Sequence, residues 1–180
     1  MVFRQITWML LGGLLVVSGS AQEIDEYQVK AAFLYNFAKF VEWPSQAFRT
    51  PTDPITMCVL GHNPVGNALE EVIRGKAIEG RSVVYRQVAD AESASSCQIL
   101  FVASSDVKRF RALCPSLKSS GILTVGEAQG FAADGGVINF KLDSGRVRFE
   151  VNVDAAEHEQ LHISSKLLSL AQVVKSEKSR

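Results

Sequence analysis

The run Val29-Lys30-Ala31-Ala32-Phe33-Leu34-Tyr35-Asn36-Phe37-Ala38-Lys39-Phe40-Val41-Glu42-Trp43-Pro44 places five aromatics in one helix-length segment. Phe33, Phe37 and Phe40 recur at the three-to-four spacing of a helical face, and Leu34, Ala38 and Val41 form the stripe beside them. A helix apolar on nearly every side has to be buried, so the rest of the chain must supply a surface to cover it. Pro44 ends the helix, because proline cannot continue the hydrogen-bond ladder and pushes Trp43 out of the helical region. Lys30, Lys39 and Glu42 interrupt the apolar surface, which excludes a bilayer span of about 20 predominantly apolar residues. The run reads as the core helix of an α/β domain rather than as a membrane or cofactor element.

Upstream, Arg4 supplies a positive n-region, residues 6–17 an apolar h-region, and Ser18-Gly19-Ser20-Ala21 a small-residue cleavage site. This is the pattern of a secretory signal peptide over residues 1–21, expected to be cut near Ala21. The remainder, residues 22–180, is expected to form a single α/β domain, periplasmic in a Gram-negative cell. A retained anchor is the competing reading, disfavoured by the short apolar stretch and its interruption at Gly12-Gly13. Loss of the signal removes Arg4 and no acid, so the formal charge of zero becomes −1. Near-neutrality with interspersed signs argues against a nucleic-acid partner, since a phosphate-binding surface needs clustered Lys and Arg.

Strand-like runs at 55–60, 83–85, 98–103 and 122–125 alternate with helical patterns. Asn63 and Pro64 stand where a cap and first turn would open a helix through Ala68, Leu69, Val72 and Ile73, and Ser105-Asp106 opens another carrying Val107, Phe110 and Leu113. Val137 to Phe140 and Val147 to Val153 then read as a hairpin turned at Ser144-Gly145. A final helix is expected from Ser164-Ser165 through Leu167, Leu168, Leu170, Ala171 and Val174. The fold class is therefore α/β: a mostly parallel sheet flanked by helices on both faces, Rossmann-like, with a late antiparallel hairpin.

Cys58 and Cys97 lie in strand-like runs, and Cys114 precedes Pro115. If the two strands are neighbours in a parallel sheet, the sulfurs of Cys58 and Cys97 come within bonding range; three buried thiols are the alternative, and the residues alone leave both open.

His158-Glu159-Gln160-Leu161-His162 matches the zinc-protease pattern, two histidines one helical turn apart with a glutamate as general base. Three features oppose it: Ser164-Ser165 looks like the cap of a new helix, a third protein ligand is missing apart from Glu177, and no third histidine follows. Gly61-His62-Asn63-Pro64-Val65-Gly66, between a strand and a helix, could hold an anion, but it lacks the lysine and glycine spacing of a phosphate loop and reads as a plain turn. Arg146, Arg148 and Glu150 share a strand face opposite Val147 and Phe149, a solvated face or a partner surface. No serine, cysteine or carboxylate sits in a nucleophile motif. The expectation is a protein that is not an enzyme and has neither metal nor cofactor.

The helix run through Trp43-Pro44, Cys58-Val59-Leu60-Gly61, Cys97-Gln98-Ile99-Leu100-Phe101, Leu123-Thr124-Val125, Gly135-Gly136-Val137-Ile138-Asn139-Phe140, Arg148-Phe149-Glu150-Val151-Asn152 and Ile163-Ser164-Ser165-Lys166-Leu167-Leu168 resemble, in that order, the YfiR family. The resemblance implies a periplasmic α/β regulator that binds the periplasmic domain of an inner-membrane diguanylate cyclase and represses it. In such systems an outer-membrane lipoprotein sequesters the repressor, releasing cyclic-di-GMP synthesis and biofilm formation. The family's disulfide falls on Cys58 and Cys97. A second disulfide of relatives would need partners around Ala132 and Asn139, neither of which is cysteine here, so redox control by that bond does not carry over. The partner surface maps onto the hairpin at Ile138 and Glu150, with Arg148 beside them, and self-association into a homodimer is also allowed. Ligand contacts of relatives fall near His162 and Ser164, which depart from the family's arginine and histidine pairing, so ligand identity does not carry over.

Two function classes follow: a protein-binding repressor, favoured, and a periplasmic small-molecule sensor with a pocket at the strand ends, with a zinc metalloprotease a distant third. An exposed patch at Ile138 and Glu150 would mark the first, and a deep pocket lined by Arg and His the second.

Overall fold

The computed structural model describes residues 20–117 and 121–176, with side chains from Glu26 onward. The signal region, residues 1–19, lies outside the described residues. The chain runs α1 (Ser20–Phe40), β1 (Val41–Glu42), β2 (Ile55–Leu60), α2 (Gly66–Ile73), β3 (Ala77–Ile78), β4 (Arg81–Val88), α3 (Ala91–Ala94), β5 (Ile99–Val102), α4 (Val107–Leu117), β6 (Leu123–Gly126), β7 (Ile138–Asp143), β8 (Arg146–Asn152), α5 (Val153–His158), β9 (His162–Ile163), α6 (Ser165–Leu168) and β10 (Gln172–Val174). Eight strands form one sheet in the order β10-β8-β7-β6-β5-β2-β4-β3. Pairings from β4 through β7 are parallel, as is β8 with β10, whereas β7–β8 and β3–β4 are antiparallel. The chain is thus an α/β fold with a mostly parallel sheet, helices on both faces, and a late hairpin.

All six residues of β2 are buried, because this central strand is covered on both sides. Met57 and Val59 face one core, shared with Leu34 and Phe37 of α1 and Leu69 of α2. Cys58 and Leu60 face the other, shared with Ala94 of α3 and Phe110 of α4. That two-sided cover is why the strand reads as an unbroken apolar run rather than an alternation.

Three expectations need correction. The aromatic helix starts at Ser20, well before Val29, and it is covered on one side only: Ala31, Leu34, Phe37 and Ala38 are buried while Ala32, Asn36 and Lys39 are exposed. The sheet supplies a single surface, so the helix needs a single apolar stripe. Asn63 does not cap α2, whose first residue is Gly66; its side chain instead donates from Nδ2 to Tyr85 Oη on β4. The final helix is a single turn, after which residues 172–174 become β10 beside β8, because the exposed edge of β8 offers a row of unpaired backbone groups. The cap itself holds: Ser164 Oγ accepts from Leu167 N at 3.3 Å.

β2 and β5 are parallel neighbours, and Cys58 and Cys97 are disulfide-bonded with Cα atoms 5.9 Å apart. The bond closes a separation of 39 residues, for which chain entropy gives about 4 kcal/mol. Cys58→Ala is accordingly expected to lower the unfolding free energy by about 2–5 kcal/mol in denaturant titrations, and peptide mapping of the oxidised protein is expected to recover Cys58 and Cys97 linked. Recovery of both as free thiols from the exported protein would contradict this pairing.

Candidate functional site

Parallel α/β sheets bind ligands beyond the carboxyl ends of their strands, where neighbouring connections leave in opposite directions. Here β2 lies between β4 and β5, so the switch point is the space between the turn after β2 and the turn after β5. A cleft of about 900 Å³ opens there, lined by Gly61, His62, Gln87 and Asp106 among others. The anion position suggested by Gly61-His62 is taken by the protein itself. Asp106 Oδ2 accepts from His62 N at 3.1 Å and from Ser105 Oγ at 2.8 Å, and Arg109 Nη1 stands 3.7 Å from Oδ1. A Cβ on Gly61, at φ +67°, would lie 2.1 Å from Asp106 Oδ1, so only glycine lets the backbone close over that carboxylate.

A second cleft, of about 720 Å³, lies beyond the ends of β5 and β6. It exists because β6 pairs with β7 only at Val125↔Ile138 and Gly126↔Asn139, after which β7 continues alone with β8. The segment after β6 turns away over the sheet, where Phe131 packs on Phe110 with ring centroids 5.0 Å apart. Gly126 and Gly136 make room for that ring: a Cβ on either would lie 2.4 Å or 2.1 Å from it. Asn152 Nδ2 holds the same segment through Ala132 O at 2.6 Å.

The cleft wall contains Lys30, 4% exposed on a helix whose other inward residues are apolar. Its ammonium pairs with Glu26 one turn earlier and with Glu127 Oε2 at 2.6 Å, and lies 4.7 Å from the centre of the Tyr27 ring. Burial works against the charge on Lys30, but hydrogen bonds to Glu127 and Glu26 and their negative charges outweigh it, holding the ammonium above its ordinary 10.5. Ser104 N donates to Glu127 Oε1 at 3.3 Å, which fixes that carboxylate between the two loops. On the hairpin side Lys141 Nζ donates to Glu150 Oε1 at 2.8 Å. Asn139 is 1% exposed beside the cleft, and its enclosed Oδ1 has no hydrogen-bond partner among the described residues.

The hairpin separates the sequence-derived site residues. Ile138 is fully buried on the inner face with Phe140, Phe149 and Val151, so its side chain forms no exposed patch with Glu150. The cause is register: Ile138 sits opposite Val151, and both point toward α1. Arg148 is exposed, while the Glu150 side chain is only 13% exposed and engaged by Lys141. His162 is exposed on β9, opposite Glu42 of β1, and Ser164 caps α6; neither lines the cleft. His158 ends α5, Gln160 turns left-handed at φ 57°, and His162 begins a strand, so the two histidines do not share a helix face. Glu159 Oε2, the base of the protease pattern, accepts from Gly121 N at 3.2 Å. Lys30, Glu127 and Asn139 were missed as site residues. The only hint was a lysine inside an apolar helix with Glu26 four residues before it, and nothing local pointed to Glu127.

Removing Lys30 strands Glu127, whose side chain is 9% exposed, so Lys30→Gln is expected to cost about 3–5 kcal/mol in chemical denaturation. Because the folded state holds the Lys30 proton more tightly than the unfolded chain, the stabilisation is complete below 10.5 and is lost as pH rises through the higher folded value. The stability gap between wild type and Lys30→Gln should therefore hold below 10.5 and shrink as pH rises above it. A gap that stays constant would refute the charged triad. Zinc, measured by dye competition, is expected to bind no more tightly to wild type than to His158→Ala, since these two histidines do not meet on one face.

Among solved structures the fold is similar to the ABC domain from Streptococcus pneumonia in complex with L-Trp, at 14% identity and a TM-score of 0.48, over 66% of this chain and 54% of that one. The chain thus spans about half the length of that structure. No curated protein matches the sequence. The family described as YfiR/HmsC-like, DUF4154, matches residues 27–172, from the start of the buried face of α1 into β10. The chain belongs to the YfiR/HmsC-like family.

Proposed function

We propose that this protein is a periplasmic repressor that binds the periplasmic domain of an inner-membrane diguanylate cyclase and lowers cyclic-di-GMP, with an outer-membrane lipoprotein as antagonist. The observation that carries the reading is membership of the YfiR/HmsC-like family over residues 27–172. The disulfide between Cys58 and Cys97 supports it, because such bonds persist in oxidising compartments. Among the described residues no helix is long and apolar enough to cross a membrane. Export rests on the signal pattern of residues 1–21.

The surface that suits a protein partner is the outer face and tip of the β7–β8 hairpin. Its inner face is anchored by Phe140 and Phe149, directly opposite one another, on Phe33 and Phe37 of α1. Anchoring on one face leaves the other rigid and available, with Arg148 exposed on it, and at the tip Leu142, on the same side as Phe140, is 59% exposed. A rigid platform with an apolar residue among charges loses little entropy on docking. Repression then requires tighter binding to the inactive cyclase than to the active one.

Arg148→Glu tests this more cleanly than a change at Glu150, which is mostly covered and would also break the pair with Lys141. The variant is expected to fold within about 0.5 kcal/mol of wild type and to fail to lower cyclic-di-GMP in a deletion strain. Deletion should raise cyclic-di-GMP and surface attachment, and the exported wild type should reverse both. Levels unchanged on deletion, in a cell that expresses a diguanylate cyclase with a periplasmic domain, would defeat the repressor reading.

A further inference from the structure

The outer face of the β7–β8 hairpin carries more positive charge than it neutralises, and the surplus falls at one residue. Alternation along the strands puts Lys141 and Asp143 of β7, and Arg146, Arg148 and Glu150 of β8, on the face turned away from α1. The cations outnumber the carboxylates there by one. Glu150 is already engaged, since Lys141 Nζ donates to its Oε1 at 2.8 Å. Asp143 stands opposite Arg146 by register and accepts from Ser144 Oγ at 3.1 Å. Arg148 is exposed, lies directly across from Lys141, and makes no hydrogen bond or ion pair with any described residue. Like charges directly opposite one another on a sheet repel, so the pairing of the two strands gains nothing from Arg148.

The same residue is held ready for docking. Phe140 and Phe149 fix the inner face on α1, and Ser144 and Gly145, at φ 50° and 75°, close the hairpin in a two-residue turn. A guanidinium on such a platform offers parallel N–H donors that match the two oxygens of a carboxylate, and little backbone has to be ordered when it docks. Asp143 and Glu150, on the same face, would repel a uniformly anionic surface such as a bilayer of acidic lipid, which favours a discrete carboxylate on a protein chain. We propose that the outer face of the hairpin docks an acidic protein segment, with Arg148 receiving a carboxylate in its guanidinium fork and Arg146 adding a second positive charge beside it. The proposal rests on the repressor reading for the source of that segment, the periplasmic domain of the cyclase.

Nuclear magnetic resonance titration of the purified, isotopically labelled protein tests the surface without the cyclase. Failure of this titration leaves the repressor reading standing, and failure of that reading in the deletion strain leaves the titration to be judged by itself. The probes are hexaglutamate, hexalysine, a neutral glycine–serine hexapeptide and vesicles containing phosphatidylglycerol. Hexaglutamate is expected to shift the backbone amides of residues 141–148 saturably, and the other three to leave them unmoved. Arg148→Gln should weaken hexaglutamate by about fivefold or more, and Arg148→Lys, which keeps the charge, should weaken it less. Raising the salt from about 50 mM to about 300 mM should weaken it as well. Because Arg148 has no partner in the free protein, Arg148→Gln is expected to melt no lower than wild type. No saturable shift with hexaglutamate, shifts centred elsewhere, an equal response to the vesicles, unchanged binding in Arg148→Gln, or a lowered melting temperature in that variant would each overturn the proposal.

Discussion

Four phenylalanines from opposite ends of the chain hold the first helix on the late hairpin, and the rest of the architecture depends on that contact. Phe33 and Phe37 of α1 meet Phe140 and Phe149, the cross-strand pair of β7 and β8, at centroid distances of 5.0–6.0 Å. Each such pair adds about 0.5–1.5 kcal/mol beyond the area it buries. The contact closes one of the long loops of the fold, so it must be strong enough to offset the entropy of bringing the two ends together. It is reinforced where α1 ends: Val41 pairs with Ile163 in the small β1–β9 sheet, and Ser164 N donates to Phe40 O at 2.9 Å.

Two consequences reach the functional surface. The hairpin continues past the end of β6 without a strand beside it, and α1 begins close to the space this leaves, which creates the cleft. The same packing turns one side of the hairpin toward α1 and the other outward, so a residue's register alone decides whether it can meet a partner. Ile138 and Arg148 belong to the same hairpin and have opposite fates for this reason.

The carboxyl edge of the sheet offers two openings with contrasting chemistry. At the switch point the protein places its own carboxylate, Asp106, on the backbone of the turn after β2, and the left-handed Gly61 closes over it. Beside Lys30 the charges are nearly but not fully matched, and a buried amide oxygen is left without a donor. Each opening keeps one buried amide oxygen without a partner among the described residues, Asn63 Oδ1 after β2 and Asn139 Oδ1 on β7, so what separates them is charge rather than hydrogen-bond satisfaction.

The strands at 55–60 and 99–102 and the parallel sheet were legible because they rest on local signals, unbroken apolar runs with turn residues between them, whereas the Cys58–Cys97 bond was left open by the residues alone and favoured only by the family resemblance. The aromatic run was legible as a buried helix, though not its start at Ser20 or the one-sidedness of its burial. The last segment misled, since Leu167, Leu168, Leu170, Ala171 and Val174 fit a helical period while an open edge on β8 draws residues 172–174 into a strand. Backbone pairing to a distant edge has no trace in local periodicity. The same limit governs the site: composition and patterning determined an α/β chain, but the meeting of Lys30 with Glu127, ninety-seven residues away, and the burial of Ile138 beside an exposed Arg148 were decided only by tertiary packing. Charge pairing and exposure depend on which surfaces are brought together, and that is a property of the assembled sheet and helices rather than of any window of sequence.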